Sequence, residues 1–428
     1  MRLQLTCVDI GYIGLTLLVF EGALATNLNL LVHHLALSIV LATTGVVVPV
    51  GASFLFLRNI GYSNMQAFAA GAALSATSLG TTITILKNSD ARAQNKREMG
   101  IFATAISTVL LSVAIIDDVV GLIMASIIIS VENDPGHRQS LGWIIGRPVL
   151  SSVGLAMIIF VLAKILERLP LERLWEPEIV RHYERRINIT VMLCILTGIC
   201  SAAAYSGSSI IYGAFLAGLF LGHIGSGQNN RTDLGEPSTD QREDHGQHPP
   251  NFFNVHQRAL SKTQELILSP FFFASIGFAI PFRDLWKPTV VWQGLLYAVL
   301  MIVAKMVVGA WIPLWKPMGR LFHSRRKSSS ADVECAEKQS TKSTGNRGML
   351  IPGAFIGVGL IARGELGLLI CQLAYDGGRG PFNDDLFAIT LWSLVVTTIA
   401  GPLLVSLVLR RGREKILAGP WGRDEEHS

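Results

Sequence analysis

The sequence predicts an all-α polytopic membrane protein with about eleven transmembrane helices. Half of its 428 residues are hydrophobic and only 16% are charged, whereas soluble domains carry about 25% charged residues. The apolar residues fall in separate long runs, and the basic residues lie mainly between these runs. This pattern excludes a soluble globule, and the basic residues are interpreted as topology signals rather than as a nucleic-acid-binding surface.

Each apolar run is predicted to be a helix, because a chain inside lipid must satisfy its own backbone hydrogen bonds. Most runs reach the roughly 20 residues that cross a bilayer, and the sixth to eighth are shorter. The segments are Asp9–Leu28, Leu35–Leu57, Met65–Leu86, Gly100–Val131, Leu141–Leu166, Ile187–Tyr205, Ser209–Ile224, Glu265–Ile280, Thr289–Trp311, Met349–Tyr375 and Asp385–Leu409.

Lysine and arginine residues alternate between the loops in a way that predicts the orientation of the chain. Of the 36, 27 lie in the C-terminal tail or in loops after odd-numbered segments, and 7 lie in the remaining loops and the N-terminal tail. This count assigns two residues near the ends of the fifth segment to the adjacent loops, and Lys305 and Arg363 lie inside apolar segments. Because cytoplasmic loops carry an excess of Lys and Arg, the C-terminus is predicted to be cytoplasmic and the N-terminus external. The sequence does not indicate which membrane holds the protein.

Two polar stretches separate groups of membrane segments and are expected to be disordered cytoplasmic loops. His245 and His248 in the first stretch are interpreted as part of a flexible loop rather than as a metal site, and the five cysteines show no metal-ligand spacing. The predicted organisation is an N-terminal membrane part (1–224), a polar loop (225–262), transmembrane helices (263–312), a second loop (313–348), a C-terminal membrane part (349–409) and a tail (410–428).

Asp117 and Asp118 lie side by side near the middle of the fourth segment, in the run AIIDDVVG. An ionisable residue is costly inside a bilayer and persists where it lines an aqueous or protein interior. Successive helical residues project about 100° apart, so one carboxylate can face a fixed partner while the other faces a cavity. A carboxylate that binds either a proton or a monovalent cation, but not both, would couple two ion fluxes. The alternative, a pair at a helix end outside the membrane, is disfavoured by the central position.

Lys305 is a further charge inside the membrane, 17 residues after Pro288 and 8 before Pro313. A lysine at this depth either extends its side chain to the interface or pairs with a buried acid. Because the chain also has intramembrane aspartates, pairing is favoured, and Asp117 is the expected partner.

The third and tenth segments mix small residues with polar ones. The third, AFAAGAALSATSLGTTITIL, contains Thr77 and Ser78, and the tenth, IPGAFIGVGLIARGELGLLI, contains Arg363 and Glu365. Small residues permit close helix packing, or a broken helix whose free carbonyls bind ions at the midplane. For the third segment both interpretations stay open. In the tenth, the two charges favour a functional break, although they could instead form a structural ion pair with each other or with a loop.

Together these elements resemble the monovalent cation:proton antiporter superfamily, in the branch with paired aspartates that includes sodium/hydrogen exchangers. The resemblance covers nearly the whole chain and follows the order of the family. The motifs are weak individually and specific in combination, and they read GLTLLVFEGAL, ALSATSLG, AIIDDVVG, GAFLAGLFLG, PFFFASIGF, VAKMVVG and ARGELGLLI.

The resemblance implies a fold of inverted repeats with two crossed, broken helices in a core domain. That core would move against a separate dimerisation domain to give alternating access, and a homodimer is expected. Thr77 and Asp118 would contact or flank the transported ion, and Lys305 would pair with the first aspartate, as in electrogenic members. Arg363 and Glu365 would stabilise the core.

Two departures from the family pattern have consequences. Some members carry a second acid where this chain has Ser78, so cation coordination here is expected to be weaker or to depend on backbone oxygens. The family usually has another span before the GLTLLVF helix, and this chain begins almost inside that helix. The first family helix is therefore expected to be missing.

These observations predict a secondary active antiporter that exchanges protons for sodium or potassium across a lipid bilayer, without a cofactor or a nucleic-acid partner. Asp118 would bind the Na⁺ or K⁺ ion and the proton, and proton exchange at the pair of Asp117 and Lys305 would make transport electrogenic. The alternative is a sodium-coupled organic-anion symporter of similar fold. An enzyme is not expected, because an intramembrane aspartyl protease needs two aspartates that converge from separate helices.

Overall fold

The structure, a computed structural model, describes residues 2–26, 35–78, 80, 84, 104–132, 141–167, 184–226, 252–314, 349–375 and 380–417. Within these residues all regular structure is helical. The α-helices are α1 (Arg2–Leu24), α2 (Leu35–Ile60), α3 (Asn64–Ser75), α4 (Ala105–Glu132), α5 (Leu141–Glu167), α6 (Glu184–Ser206), α7 (Ile210–Ser226), α8 (Phe252–Ala259), α9 (Ser261–Thr263), α10 (Ser269–Ala279), α11 (Phe282–Leu285), α12 (Pro288–Val308), α13 (Leu350–Gly359), α14 (Glu365–Tyr375) and α15 (Asp384–Leu417).

Six helices in the described part of the chain are both long and apolar enough to cross a bilayer, namely α2, α4, α5, α6, α12 and α15. Helices α7, α13 and α14 are apolar but shorter. Several helices extend past the predicted apolar segments, since α1 begins at Arg2 and α15 ends at Leu417. Backbone hydrogen bonding continues a helix into polar sequence, so hydrophobicity alone underestimates its length. The predicted number of eleven spans stays a prediction.

Parts of the predicted organisation lie outside the described residues. Of the third segment after Ser78, only Gly80 and Thr84 are described, and both are helical. Also outside the described residues are the end of the first segment (27–28), the start of the fourth (100–103), the stretch 227–251 with His245 and His248, the stretch 315–348 and the end of the tail (418–428).

The chain divides into two compact units, and the first contains Met1–Asn29, Leu122–Ile280 and Gln372–Gly380. In this unit α1 packs against α7 and α10, and α7 also packs against α5 and α6. The contact of α1 with α7 is close, because a Cβ atom on Gly218 would lie 2.5 Å from the carbonyl oxygen of Phe20. Glycine therefore sets how near these two helices approach.

The predicted loop 225–262 is wrong over its last residues, which form helix α8 in the first unit. Phe252 and His256, four residues apart, lie on one face of α8, and both are buried. Polar residues on the other face gave the stretch the composition of a loop, while the i, i+4 spacing of its buried residues is that of an amphipathic helix. Gln257 also fixes α8 to α1, since its side-chain amide donates to the Glu21 carboxylate at 2.7 Å.

A π-helical turn, Gln264–Leu268, leads into α10. Pro270 near the start of α10 has no amide hydrogen to donate, so the hydrogen-bond ladder changes register at this point. The side chain of Gln264 donates to Glu21 and so joins the turn to α1. The sequence predicted that the eighth segment is shorter than a full span, and α10 is a short helix of 11 residues.

The second unit contains Leu30–Gly121, Pro281–Cys371 and Pro381–Ser428. In this unit α12 packs against α2, α13 and α15, and α2 packs against α3. All seven residues predicted to form the site belong to this unit. Buried side chains of its core include Leu41, Val109, Leu110, Val308, Phe355, Ile356 and Leu360.

Candidate functional site

Two interruptions of helical structure meet in the second unit. α3 ends at Ser75, and the backbone continues through Ala76 with φ −58° and ψ 140°, outside the helical region. Residues 360–364 separate α13 from α14 in the same way. The amide of Ser78 donates a hydrogen bond to the carbonyl of Ala362 at 2.9 Å, so the two non-helical stretches are in direct contact.

Arg363 joins these two stretches through its guanidinium group. Its Nη1 atom donates to the carbonyls of Ser75 at 3.1 Å and Ala76 at 2.9 Å. The last carbonyls of a helix have no partner within that helix, and the buried cation supplies one here. The sequence left open an ion pair between Arg363 and Glu365, and no such pair is present among the described residues.

Glycine permits the close approach of the two stretches. A Cβ atom on Gly364 would lie 3.0 Å from the side chain of Ser78, and one on Gly367 would lie 2.8 Å from the carbonyl oxygen of Ala73. Close packing and helix interruption were alternatives in the sequence analysis, and in the structure they occur together. The contact between the non-helical residues 76–78 and 360–364 is called the crossing below. Thr77 is buried there.

A buried ion pair lies next to the crossing. Lys305 of α12 places its Nζ atom 2.7 Å from Oδ2 of Asp117 on α4, and neither side chain is exposed. The hydroxyl of Thr77 donates to the same Oδ2 atom at 2.8 Å, and Lys305 donates to that hydroxyl at 3.3 Å. The expected contact of Lys305 with Asp117 is therefore present, and three separate elements converge on one carboxylate.

Asp118, the next residue of α4, has different surroundings. Its side chain is buried, and its Oδ1 atom has no hydrogen-bond partner among the described residues. Its acidic neighbours are Asp117, the preceding residue, and Glu365 of α14. One aspartate thus has a fixed cationic partner, while the other keeps an oxygen that no described donor occupies.

The geometry also identifies neighbours that the sequence analysis missed. Tyr297, on the same face of α12 as Lys305 and two turns before it, donates to the hydroxyl of Ser53 at 2.6 Å. Gly45 on α2 faces the ion pair, because a Cβ atom there would lie 3.4 Å from Lys305 Nζ. The spacing along α12 could have indicated Tyr297. A missing side chain gives no such signal, so Gly45 was not detectable.

Among the described residues, no cluster of three or more His, Cys, Asp and Glu side chains could hold a metal ion. The oxygen groups near Asp118 are instead the hydroxyls of Thr77 and Ser78, backbone carbonyls and the Asp118 carboxylate itself. Few anionic ligands around a cation favour weak and reversible binding.

Comparison with known proteins assigns the chain to a family. The family model described as "Sodium/hydrogen exchanger, transmembrane" matches residues 7–411. The chain belongs to the sodium/hydrogen exchanger family. The resemblance drawn from the motif order is confirmed, and the chain is a multi-pass integral membrane protein.

Two known antiporters are similar to this chain along most of its length. The high-affinity Na⁺/H⁺ antiporter NhaS3 of Synechocystis sp. (strain ATCC 27184 / PCC 6803 / Kazusa) is 26% identical over 404 residues, which cover 92% of this chain and 70% of that protein. The sodium proton antiporter MjNhaP1 from Methanocaldococcus jannaschii has a solved structure with a TM-score of 0.56 and 15% identity. The match covers 96% of this chain and 85% of that one. The predicted fold class, all-helical and sodium/proton antiporter-like, is confirmed.

Proposed function

We propose that this protein is a secondary active antiporter that moves protons in one direction and Na⁺ or K⁺ in the other. The two adjacent, buried carboxylates with unlike partners are the observation that carries the proposal. Asp117 is bonded to Lys305 and Thr77, whereas Asp118 keeps an oxygen without a partner among the described residues. A single carboxylate that holds either a proton or a cation forces the two fluxes to alternate.

The cation would bind at Asp118 as a transported substrate. Alkali cations prefer oxygen ligands, as other hard cations do. The hydroxyls of Thr77 and Ser78 and the carbonyls of the non-helical stretches offer such ligands without further charge. Because Ser78 stands where some family members have an acid, the site is expected to bind cations weakly.

The ion pair of Lys305 and Asp117 would make transport electrogenic. If the pair of Lys305 and Asp117 releases a proton on one side of the membrane and takes one up on the other, each cycle exchanges more than one proton per cation. Net charge then moves with every turnover. Arg363 would hold the crossing in place, and Glu365 would lend negative charge near Asp118.

Alternating access would open the site to one side of the membrane at a time. All seven site residues lie in one compact unit, which supports movement of the site without its disassembly. The alternation of basic residues between loops supports a cytoplasmic C-terminus. The order of membrane parts, polar loops and tail that the sequence predicts is also part of this proposal. A homodimer is also proposed, and the exposed apolar residues Leu150, Met157 and Ile158 of α5 offer a face for lipid or a second copy.

Flux measurements in proteoliposomes test the function. Purified protein with imposed Na⁺ or K⁺ gradients should move protons in the opposite direction, and Asp118→Asn should abolish this exchange. Asp385→Asn is the control, because that aspartate is 44% exposed and pairs with Lys287 on the surface. Normal exchange by Asp118→Asn would contradict the assignment of the site. A sodium current that requires an organic anion would instead support the symporter.

A further inference from the structure

The backbone of Gly45 lies against the ion pair rather than against apolar side chains. The three atoms nearest to a Cβ built on Gly45 are Lys305 Nζ at 3.4 Å, Asp117 Oδ1 at 3.5 Å and Asp117 Oδ2 at 3.6 Å. Gly45 is itself buried within α2. The missing side chain therefore leaves a space whose nearest neighbours are the two charged groups.

Lys305 and Asp117 each keep a hydrogen-bonding group that the described contacts do not use. A lysine ammonium has three donors, and Lys305 uses two of them, on Asp117 Oδ2 and on the Thr77 hydroxyl. The other carboxylate oxygen, Asp117 Oδ1, is buried without a partner among the described residues. A spare donor and an unpartnered acceptor thus border the same space.

We propose that one water molecule binds beside Gly45 and bridges Lys305 Nζ to Asp117 Oδ1. A buried water needs polar surroundings and at least two hydrogen-bond partners, and Lys305 Nζ and Asp117 Oδ1 supply both beside Gly45. The water would keep the ion pair partly hydrated in an otherwise dry interior. The site follows from the geometry of the pair alone, while its effect on transport rests on the proposed antiport.

Stability measurements on three variants test the water site without any transport assay. Alanine is a better helix former than glycine, so Gly51→Ala in α2, where a Cβ would meet nothing within 4 Å, should keep or raise the Tm. Gly45→Ala fits sterically, but its methyl group would displace the water and leave Asp117 Oδ1 unpaired, so its Tm should fall. Gly45→Ser should recover the loss, because its hydroxyl can donate to that oxygen.

Transport by the same variants tests the role of the water. Gly45→Ala should lower the turnover rate about tenfold, the factor that corresponds to about 1.4 kcal/mol for one unmade hydrogen bond, with little change in KM for the cation. Gly45→Ser should restore turnover, and Gly51→Ala should match the unaltered protein. A merely structural defect would not be corrected by the larger serine.

The outcomes separate the two proposals. If the unaltered protein exchanges no ions, the antiporter proposal fails, while the Tm series still decides the water site. If Gly45→Ala matches Gly51→Ala in both Tm and turnover, the water site is refuted. An experimental map that resolves ordered water gives an independent decision. Density between Lys305 Nζ and Asp117 Oδ1 supports the site, and well-ordered side chains without such density overturn it.

Discussion

Arg363 donates a hydrogen bond to the carbonyl of Ala76 at 2.9 Å, across 287 residues of sequence. This contact holds the second non-helical stretch against the first. Thr77 follows Ala76 directly, and its hydroxyl donates to the carboxylate of Asp117. The geometry of the ion pair therefore depends on a guanidinium that does not touch it.

Replacing Arg363 should lower stability and disrupt the site together. Arg363→Ala leaves the carbonyls of Ser75 and Ala76 without their charged donor, and each unsatisfied buried group costs about 1–3 kcal/mol. Arg363→Lys should be intermediate, because an ammonium keeps the charge but lacks the planar fork. Thermal unfolding in detergent measures the first effect, and ion flux in vesicles measures the second.

Arg283→Ala is the matched control for this prediction. Arg283 is exposed on α11, and exposed substitutions away from special features change stability little. Equal unfolding temperatures for Arg283→Ala and Arg363→Ala would show that the guanidinium does not hold the crossing.

The buried ion pair should show strong energetic coupling in a double-mutant cycle. Lys305→Met or Asp117→Asn alone leaves one buried charge unpaired, which costs about 3–5 kcal/mol. The double variant removes both charges, so it should be more stable than either single variant. Unfolding free energies of the four proteins give the coupling, and Lys305→Met should also change the electrical current per transported ion.

Lys287→Met is the control for Lys305→Met, because Lys287 lies in a contrasting, exposed environment. Lys287 lies 2.8 Å from both Asp284 and Asp385, but it is 46% exposed, and surface ion pairs contribute little to stability. This variant should unfold like the unaltered protein and carry the same current per ion. A double variant whose loss equals the sum of its single losses would rule out the coupling of Lys305 with Asp117.

The sequence predicted the parts of the site that rest on rare residues. Charges inside apolar runs are few, so Lys305 had few plausible acidic partners, and the contact with Asp117 could be inferred. The partners of Arg363 are backbone carbonyls, which every residue possesses and no sequence marks. Gly45 and the nearness of Glu365 to Asp118 depend on how separate helices pack, and a single sequence contains no record of that packing.

The helix pattern was predictable to a similar extent. Long apolar runs such as Leu35–Leu57 gave the position of a helix, since burial in lipid requires a helical backbone. α8 was missed because its stretch was judged by composition, and a buried residue every fourth position is too weak a signal in eight residues.

The docking of α8 should depend on pH through His256. Burial lowers the pKa of His256 from its ordinary value of 6.5, and the neighbouring side chain of Gln264 opposes this shift in part. The undocked helix therefore binds protons more readily than the docked one. Docking should be fully stable above about pH 6.5 and should weaken as the pH falls towards the lowered pKa.

Hydrogen exchange of residues 252–259, corrected for intrinsic rates, measures this effect. Protection should be lower at about pH 5 than at pH 8, and His256→Gln should reduce the difference because glutamine does not titrate. Equal pH dependence in both proteins would assign the effect to another group. Charged or titratable groups on α8 itself and on the helices packed against it include Asp9 and Glu21 on α1, Arg186 on α6, His223 on α7, Arg258 on α8 and Lys262 on α9.

Gly353→Ala should destabilise the contact that positions the helix of Lys305. A Cβ atom on Gly353 would lie 2.5 Å from the carbonyl oxygen of Gly309, just after α12, and a Cβ on Gly309 would lie 2.1 Å from the carbonyl oxygen of Gly353. These are contacts with backbone atoms, so no side-chain rotation can relieve them. Overpacking of this kind costs about 1–3 kcal/mol, whereas alanine in place of an unconstrained helical glycine stabilises by about 1 kcal/mol.

Gly154→Ala in α5 is the reference for this comparison, because a Cβ at that position would meet nothing within 4 Å. The free energy of unfolding of Gly154→Ala should stay level or rise, while that of Gly353→Ala should fall. Ion flux should also fall in Gly353→Ala, because Lys305 would shift away from Asp117. If both alanine variants are equally stable, α12 and α13 can separate without cost. The close glycine contact would then not be what holds the lysine beside its aspartate.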